Sequence, residues 1–463
     1  MKMFRPFLGI ILAAGKGTRF KSNQIKVLHK LLNIPMVCYV IEALKKVKPE
    51  KILVVVCYQK KKVIETLSPY NVVFVEQSEP KGTAHALMSC EKILEKSKEK
   101  DILVLYGDAP LIQPELLKNL IQHHQNSNNA VTLISAKLDF PEGYGRIVRD
   151  KRGNIIRVVE EKNADPEEKK IQEVNTGIYM FKISELLPAL SYISPDPIKK
   201  EYYLTQIIEV FYKMNKQIGE VKTNQIEDII GINTRYELAH AISILKRRKI
   251  KNLSKRGVTF LDPENSWIDF TVEIGKETVI YPHVILEKNT IIGEECIIYP
   301  FVHIIDSKIG NRVKILSSSM IEESQIEDNA QIGPFTHLRP KTIIKNNAKV
   351  GNFVEMKNTI FGAGSKAGHL SYLGDSEVGE NVNIGAGTIT CNFDGIKKYK
   401  TLIEEGAFIG SGTELIAPVK IGKKSYIGAG STITKDTEPY SLTVARAKQV
   451  SKPDWVKRKR KEK

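Results

Sequence analysis

The stretch from Leu12 to Arg19 reads LAAGKGTR and closes an apolar run, FLGIIL, at Phe7–Leu12. Gly15 and Gly17 let the backbone approach a ligand closely, and Lys16 and Arg19 bring positive charge to the same turn. Glycines beside cations after an apolar strand suit a phosphorylated ligand. The turn matches neither common phosphate fingerprint, because it lacks the last glycine of GxGxxG and the Lys-Ser/Thr ending of the P-loop. Asp108 ends a second apolar run, DILVLYGD, and either faces a ligand or caps the turn before Pro110. In the second half His369 has the chemistry of a general base, since an imidazole exchanges its proton near neutral pH.

These residues need elements to hold them. FLGIIL, KILVVVC, VVFV, DILVLYGD and AVTLISA predict buried strands, and Met36 to Val47, Gly82 to Lys96 and Glu115 to His124 predict helices between them. Such near-continuous apolar strands predict a mainly parallel sheet covered on both faces. Ligands of these sheets gather beyond the carboxyl ends of the strands, where LAAGKGTR and YGD fall. A connecting helix is predicted next. Thr234 and Glu237 form a capping-box pattern at its start, and Leu238, Ile242 and Leu245 share a face.

Beyond that helix a period of six appears. Ile274, Ile280, Leu286, Ile292, Ile298 and Ile304 form one column, and Thr278, Val284, Thr290, Cys296 and Val302 stand four places after its first five members. The column resumes at Ile326, Ile332, Leu338, Ile344, Val350 and Met356, and again at Ile409, Leu415, Ile421, Ile427 and Ile433. Neither a helix nor a flat strand has that period. It predicts a parallel β-helix whose flat faces each carry one hexad with the aliphatic pointing inward. One interruption falls near Met320 to Gln325. A longer one, TCNFDGIKKYKTLIEEG at Thr390–Gly406, predicts an excursion from the prism, the kind of segment that carries function.

Composition narrows the class. At 463 residues the chain is too long for one ordinary core. No apolar run reaches the ~20 residues of a membrane span, so membrane insertion is not expected. MKMFRPFLGIILAAG imitates an export signal, but Pro6 and the cationic turn that follows argue for a cytoplasmic protein. Cys38, Cys57, Cys90, Cys296 and Cys391 are odd in number and lack CxxC spacing, so neither a disulfide framework nor a zinc site is expected. Net charge is +17, and KRKRKEK at Lys457–Lys463 supplies +5 of it. That run has the charge to hold RNA, DNA or an acidic membrane, but without a base-reading motif it reads as a solvated terminus.

LAAGKGTR is followed in order by KVLHKLLNIPM, EQSEPKGTAHAL, LYGDAPLI, GYGRIV, VVEEKNA, VNTGIYMF and GINTR. Together they resemble the sugar-phosphate nucleotidyltransferases, with an α/β Rossmann-like domain. The resemblance implies attack of a sugar-1-phosphate on the α-phosphorus of a nucleoside triphosphate, releasing pyrophosphate. It places Leu12, Ala13, Ala14, Gly15, Gln77, Gly82 and Thr83 around the pyrimidine and ribose. Arg19 and Lys26 fall on the phosphates, and Tyr106, Gly107 and Asp108 on the substrate. Gly145, Glu160 and Asn175 fall on the sugar, and Asp108 with Asn233 on Mg²⁺.

The segment GNFVEMKNTIFGAGSKAGHLSYLGDSEVGENVNIGAGTITCNFDG extends the resemblance to the bacterial bifunctional N-acetylglucosamine-1-phosphate uridyltransferase/glucosamine-1-phosphate acetyltransferase family, from about residue 7 to 446. It implies a left-handed β-helix, with His369 as the base that frees the amine. Arg339 and Lys357 would clamp the sugar phosphate, and Tyr372 and Asn383 would orient the sugar. Ala386, Asn392, Phe393, Ser411, Ala429 and Arg446 would line the acetyl-CoA site. Phe393 departs from the tyrosine common in the family, removing one hydroxyl. The implied organisation is a nucleotidyltransferase domain at 1–233, a linker helix at 234–253, a β-helix acetyltransferase at 254–446 and a basic tail at 447–463. The implied substrates are UTP, glucosamine-1-phosphate, N-acetylglucosamine-1-phosphate and acetyl-CoA. A homotrimer with no nucleic-acid partner is expected.

Overall fold

The computed structural model describes residues 4–197 and 199–461. Lys2 of the signal-like segment, and Glu462 and Lys463 of the basic run, lie outside the described residues. The chain divides into two compact units between Leu245 and Lys246, within a helix that spans Arg235–Lys255. Ala241, Ile244 and Leu245 are its buried positions in the first unit, while Leu238 and Ile242 are only half-buried.

In the first unit the central strand Phe7–Leu12 lies between Lys51–Val56 and Asp101–Tyr106, parallel to both. Every one of its residues is buried, as two covered faces require. Val73–Glu76 extends the parallel set. The sheet as a whole is mixed, not mainly parallel. Glu173–Lys182 runs antiparallel between Asp101–Tyr106 and Val131–Lys137 and also pairs with Gly145–Arg149. Its segment VNTGIYMF is covered on both faces like its neighbours, so composition carried no sign of direction. The helix expected over Gly82 to Lys96 forms as two, Thr83–Met88 and Glu91–Glu95.

The second unit is a left-handed parallel β-helix. Three sheets of 11, 10 and 9 short parallel strands form its faces. The inner column runs coil over coil: Ile298 pairs with Ile315, and Ile315 with Ile332. Some buried hydroxyls are satisfied by the next coil, Thr278 donating to the Gly293 carbonyl at 2.9 Å and Ser365 to the Gly379 carbonyl at 2.7 Å, and others by their own, Thr388 donating to the Gly385 carbonyl at 2.7 Å. Corners use left-handed backbone even without glycine: Asn329, Phe335, Lys341, Asn347 and Phe353 have φ of 54–67°. Each such residue costs about 1–2 kcal/mol, which the buried column offsets. Leu338→Ala is expected to destabilise this unit by about 2–5 kcal/mol, read as a lower unfolding midpoint.

The interruption near Met320 to Gln325 is no departure from the prism. Met320–Glu322 and Gln325–Ile326 are regular strands, and Ile321 stands inward between Ile304 and Leu338. Two five-residue sides, Ile304 to Ile309 and Ile321 to Ile326, shift the period without breaking the coil. Thr390–Gly406 does contain an excursion, held by a bridge between Phe393 and Lys398.

Candidate active sites

Leu12 and Tyr106 end adjacent strands in register, and the Gly107 N–H donates to the Leu12 carbonyl at 3.0 Å. That clip sets LAAGKGTR beside YGD. Gly17 has φ 63°, and a Cβ there would stand 2.8 Å from Lys26 Cβ, so glycine lets Lys26 fold back over the turn. Lys26 Nζ pairs with Asp108 and donates to Asn233 Oδ1 at 3.0 Å. Arg19 Nη2 donates to the same oxygen at 2.8 Å. Asn233 is held from both sides. The Ile232 N–H donates to the Asp108 carbonyl at 2.9 Å, and Glu237 Oε2 accepts the Asn233 and Thr234 N–H groups at 2.6 and 2.7 Å. Thr234 Oγ1 accepts the Glu237 N–H at 3.2 Å, completing the capping box.

Asp108 and Asn233 thus turn an oxygen each toward one cationic point, here the Lys26 ammonium. A carboxylate and an amide oxygen fit Mg²⁺, which keeps several waters and takes phosphate oxygens rather than an all-protein cage. Among the described residues no group of three or more His, Cys, Asp or Glu side chains gathers to hold a metal, so this two-oxygen set is what the chain offers.

Tyr106 is the hub of the sugar side. Burial, then the Glu160 carboxylate, push its hydroxyl above the ordinary tyrosine range, with a hydrogen bond to Thr83 and the Asp108 charge nearby. Glu160 Oε1 accepts from Thr205 Oγ1 at 2.7 Å. Gly145 pairs with Asn175 across antiparallel strands. Asn175 donates to the Tyr179 hydroxyl at 2.7 Å, yet its buried Oδ1 has no partner, an acceptor open to a ligand hydroxyl. Gln77 is buried and donates to the Gly82 carbonyl at 3.1 Å. Gly82 has φ 101°, and a Cβ would stand 2.5 Å from the Tyr202 carbonyl oxygen. Gly82→Ala is therefore expected to destabilise the first unit by about 1–3 kcal/mol, seen as an earlier melting transition.

In the second unit the expected residues fall on two corners of the prism and the face between them. His369 ends the strand Lys366–His369 just before the first corner, at Leu370. Its Nδ1 bonds Asn352 Oδ1 at 2.6 Å, one coil back in register. Since an amide oxygen only accepts, Nδ1 carries the proton and Nε2 keeps its lone pair. Ala386, Ser411 and Ala429 lie along the same corner on successive coils, and Arg446 donates to the Ala429 carbonyl at 2.7 Å. Beside them the corner residues become Gly387, Gly412 and Gly430, where earlier coils carry Phe335, Phe353 and Leu370. That change leaves three successive corner positions without side chains. Asn383 opens the following strand next to Lys366.

The second corner is cationic. Lys357 ends Glu355–Lys357 in register with Gly374, one coil beyond Arg339, whose Nη1 donates to Glu355 Oε1 at 2.7 Å. Lys398 of the excursion stands beside Lys357, and this like charge, with Arg339 adding, holds Lys357 below the usual lysine range. Tyr372 stands on the face between the corners, paired with Glu355. Asn392 donates to Asp375 at 2.5 Å, and Phe393 is 59% exposed. One chain therefore does not bring Asn392 and Phe393 to the Ala386 column. Sequence reasoning missed Asn352 and Lys398; the coil spacing to His369 marks the first, and the KK pair in the excursion the second.

The family model for nucleotidyl transferases matches residues 8–268, and that for bacterial transferase hexapeptides (six repeats) matches 323–358 and 400–435. The Bifunctional protein GlmU of Thermosipho africanus is 48% identical over 97% of both chains. That of Thermotoga maritima is 47% identical over 98% of this chain and 99% of its own, and that of Syntrophomonas wolfei 46% over 96% and 98%. The chain belongs to the GlmU family. As a GlmU-family enzyme it is a bifunctional transferase of UDP-N-acetylglucosamine synthesis, joining a uridylyltransferase to an acetyltransferase. GlmU membership implies small-molecule substrates, a divalent metal and acetyl-CoA. Among the described residues no helix is long and apolar enough to cross a membrane.

Proposed function

We propose that the first unit, through residue 233, transfers uridylyl groups with Arg19 and Lys26 on the phosphates, and that the β-helix, residues 254–446, acetylates glucosamine-1-phosphate with His369 as base. The convergence of Arg19, Lys26, Asp108 and Asn233 carries the first assignment. N-acetylglucosamine-1-phosphate attacks the α-phosphorus of UTP and pyrophosphate leaves, so negative charge crowds the site and cations must neutralise it. A magnesium ion held by Asp108 and Asn233 would supply further neutralisation. Lys26 and Arg19, both donating to Asn233 Oδ1, stand where phosphate oxygens would meet them. Asn175 and Glu160 present acceptors to sugar hydroxyls.

In the second unit the Nε2 lone pair of His369 takes the proton of the attacking amine as the C–N bond forms and the thioester C–S bond breaks. Asn352 fixes the tautomer. The Arg339, Lys357 and Lys398 corner suits the dianionic phosphate, and the glycine-lined corner suits the pantetheine arm. Because these corners lie on opposite sides of one face, and Asn392 with Phe393 stands on the second, a site shared between copies in a homotrimer accounts for all of them. Sedimentation should then give a three-chain mass. The reading also places the enzyme in the cytoplasm, with UTP and acetyl-CoA. Purified protein supplied with glucosamine-1-phosphate, acetyl-CoA, UTP and Mg²⁺ should accumulate UDP-N-acetylglucosamine; its absence sinks the proposal. Asn352→Ala is expected to lower acetyl-transfer kcat about tenfold with little change in KM, the sign of a mispositioned base.

A further inference from the structure

Gln77 is 2% exposed, and its amide nitrogen is doubly engaged. Nε2 donates to the Gly82 carbonyl at 3.1 Å and meets His85 Nδ1 at 2.9 Å. Both partners must accept, since a carbonyl has no proton and both amide hydrogens are used. His85 is thereby the Nε2–H tautomer. The consequence falls on the other end of the amide: Gln77 Oε1 is turned away from both partners, and no described residue donates to it. Unlike Asn175 Oδ1, Gln77 Oε1 is not sealed from solvent, so it is the one accessible end of an otherwise buried and anchored amide, open to a ligand donor.

We infer that His85 is a positioning residue for base selection, locking the Gln77 amide so that Oε1 can accept N3–H of uracil. This rests on the reading of the first unit as a uridylyl transferase with Gln77 at the pyrimidine. Uracil N3 is a donor, whereas cytosine N3 is an acceptor and would face Oε1 lone pair to lone pair. With the Gly82 carbonyl as its only anchor, the amide turns over more readily and presents Nε2, which tolerates cytosine. His85 adds the second bond that holds the uracil-reading orientation. It sits on the short helix Thr83–Met88, whose start is tied down by the Ala84 N–H donating to the Tyr202 carbonyl at 2.9 Å. Its ring therefore has a fixed base. A site built to hydrogen-bond one edge rejects the other through unpaired buried groups, not through shape.

The test is uridylyl transfer by the full chain with UTP and with CTP, for the parent, His85→Leu and His85→Asn. The leucine variant is expected to lower the UTP-to-CTP ratio of kcat/KM about tenfold, the worth of one neutral hydrogen bond. The asparagine variant, whose Oδ1 can take the place of Nδ1, should recover most of that ratio. Acetyl transfer, made by the other unit, should be unchanged in both. A folded leucine variant that keeps the parent ratio within about twofold, or an asparagine variant as unselective as leucine, overturns the assignment. So does a parent that uses both nucleotides equally. If the leucine variant does not fold, the ¹⁵N-histidine spectrum of the parent decides: a proton on His85 Nε2 supports the assignment, and one on Nδ1 overturns it. A parent inactive with either nucleotide removes the uridylyl reading itself, a result distinct from lost discrimination.

Discussion

His369→Ala is expected to lower acetyl-transfer kcat by about 10²–10⁴-fold while leaving uridylyl transfer at the parent rate. The geometry behind this is one-sided. His369 Nδ1 is committed to Asn352 at 2.6 Å, which leaves Nε2 as the ring's free acceptor on an exposed strand end. An ammonium cannot attack a thioester, so the group that removes its proton controls the step. The loss should appear in kcat more than in KM for glucosamine-1-phosphate, because the proposed phosphate clamp of Arg339, Lys357 and Lys398 is left intact. Separate assays with each half-reaction's substrates check it. Full acetyl transfer by a folded His369→Ala protein would reduce the β-helix to a platform.

Asp108→Asn is expected to cost about 10²–10³-fold in Mg²⁺-dependent uridylyl transfer and nothing in acetyl transfer. Among the described residues Asp108 is the one carboxylate paired with Lys26, and it shares that contact with Asn233. The isosteric amide keeps the shape and removes the charge, so a metal held at the proposed site would lose its stronger ligand, and Lys26 loses its counter-ion. Chelating the metal with EDTA should reproduce the pattern in the parent, stopping uridylyl transfer and sparing acetyl transfer. Equal loss of both activities in a folded Asp108→Asn protein would contradict the division of labour.

Much of the architecture is written in local pattern, because burial imposes a period on the chain. The six-residue column from Ile274 to Ile304 pointed to a prism of short strands, and FLGIIL followed by a cationic glycine turn pointed to a strand covered on both faces. The motifs LAAGKGTR, YGD and GINTR likewise announced which residues would meet, since each ends a strand or starts a helix. Strand direction was another matter. Glu173–Lys182 has the same apolar content whether it runs up or down, and only its hydrogen bonds to Val131–Lys137 and Asp101–Tyr106 make it antiparallel. The gap at Met320 to Gln325 looked like a break because two sides, Ile304 to Ile309 and Ile321 to Ile326, are each a residue short, and stacking alone shows that the coil continues.

The site divides in the same way. Lys26 and Asn233 came from the family resemblance, whereas residue type nominated Arg19, Asp108 and His369, because charge and titratable groups are properties of single side chains. Partnership is not. That Asn233 Oδ1 receives both Arg19 and Lys26, that Asn352 sets the His369 tautomer, that Lys398 stands beside Lys357 and that His85 grips Gln77 are facts of distance between residues far apart or unremarkable in the chain. Hydrogen bonds fall off within a few tenths of an ångström and need direction as well as proximity. Only the folded backbone supplies both.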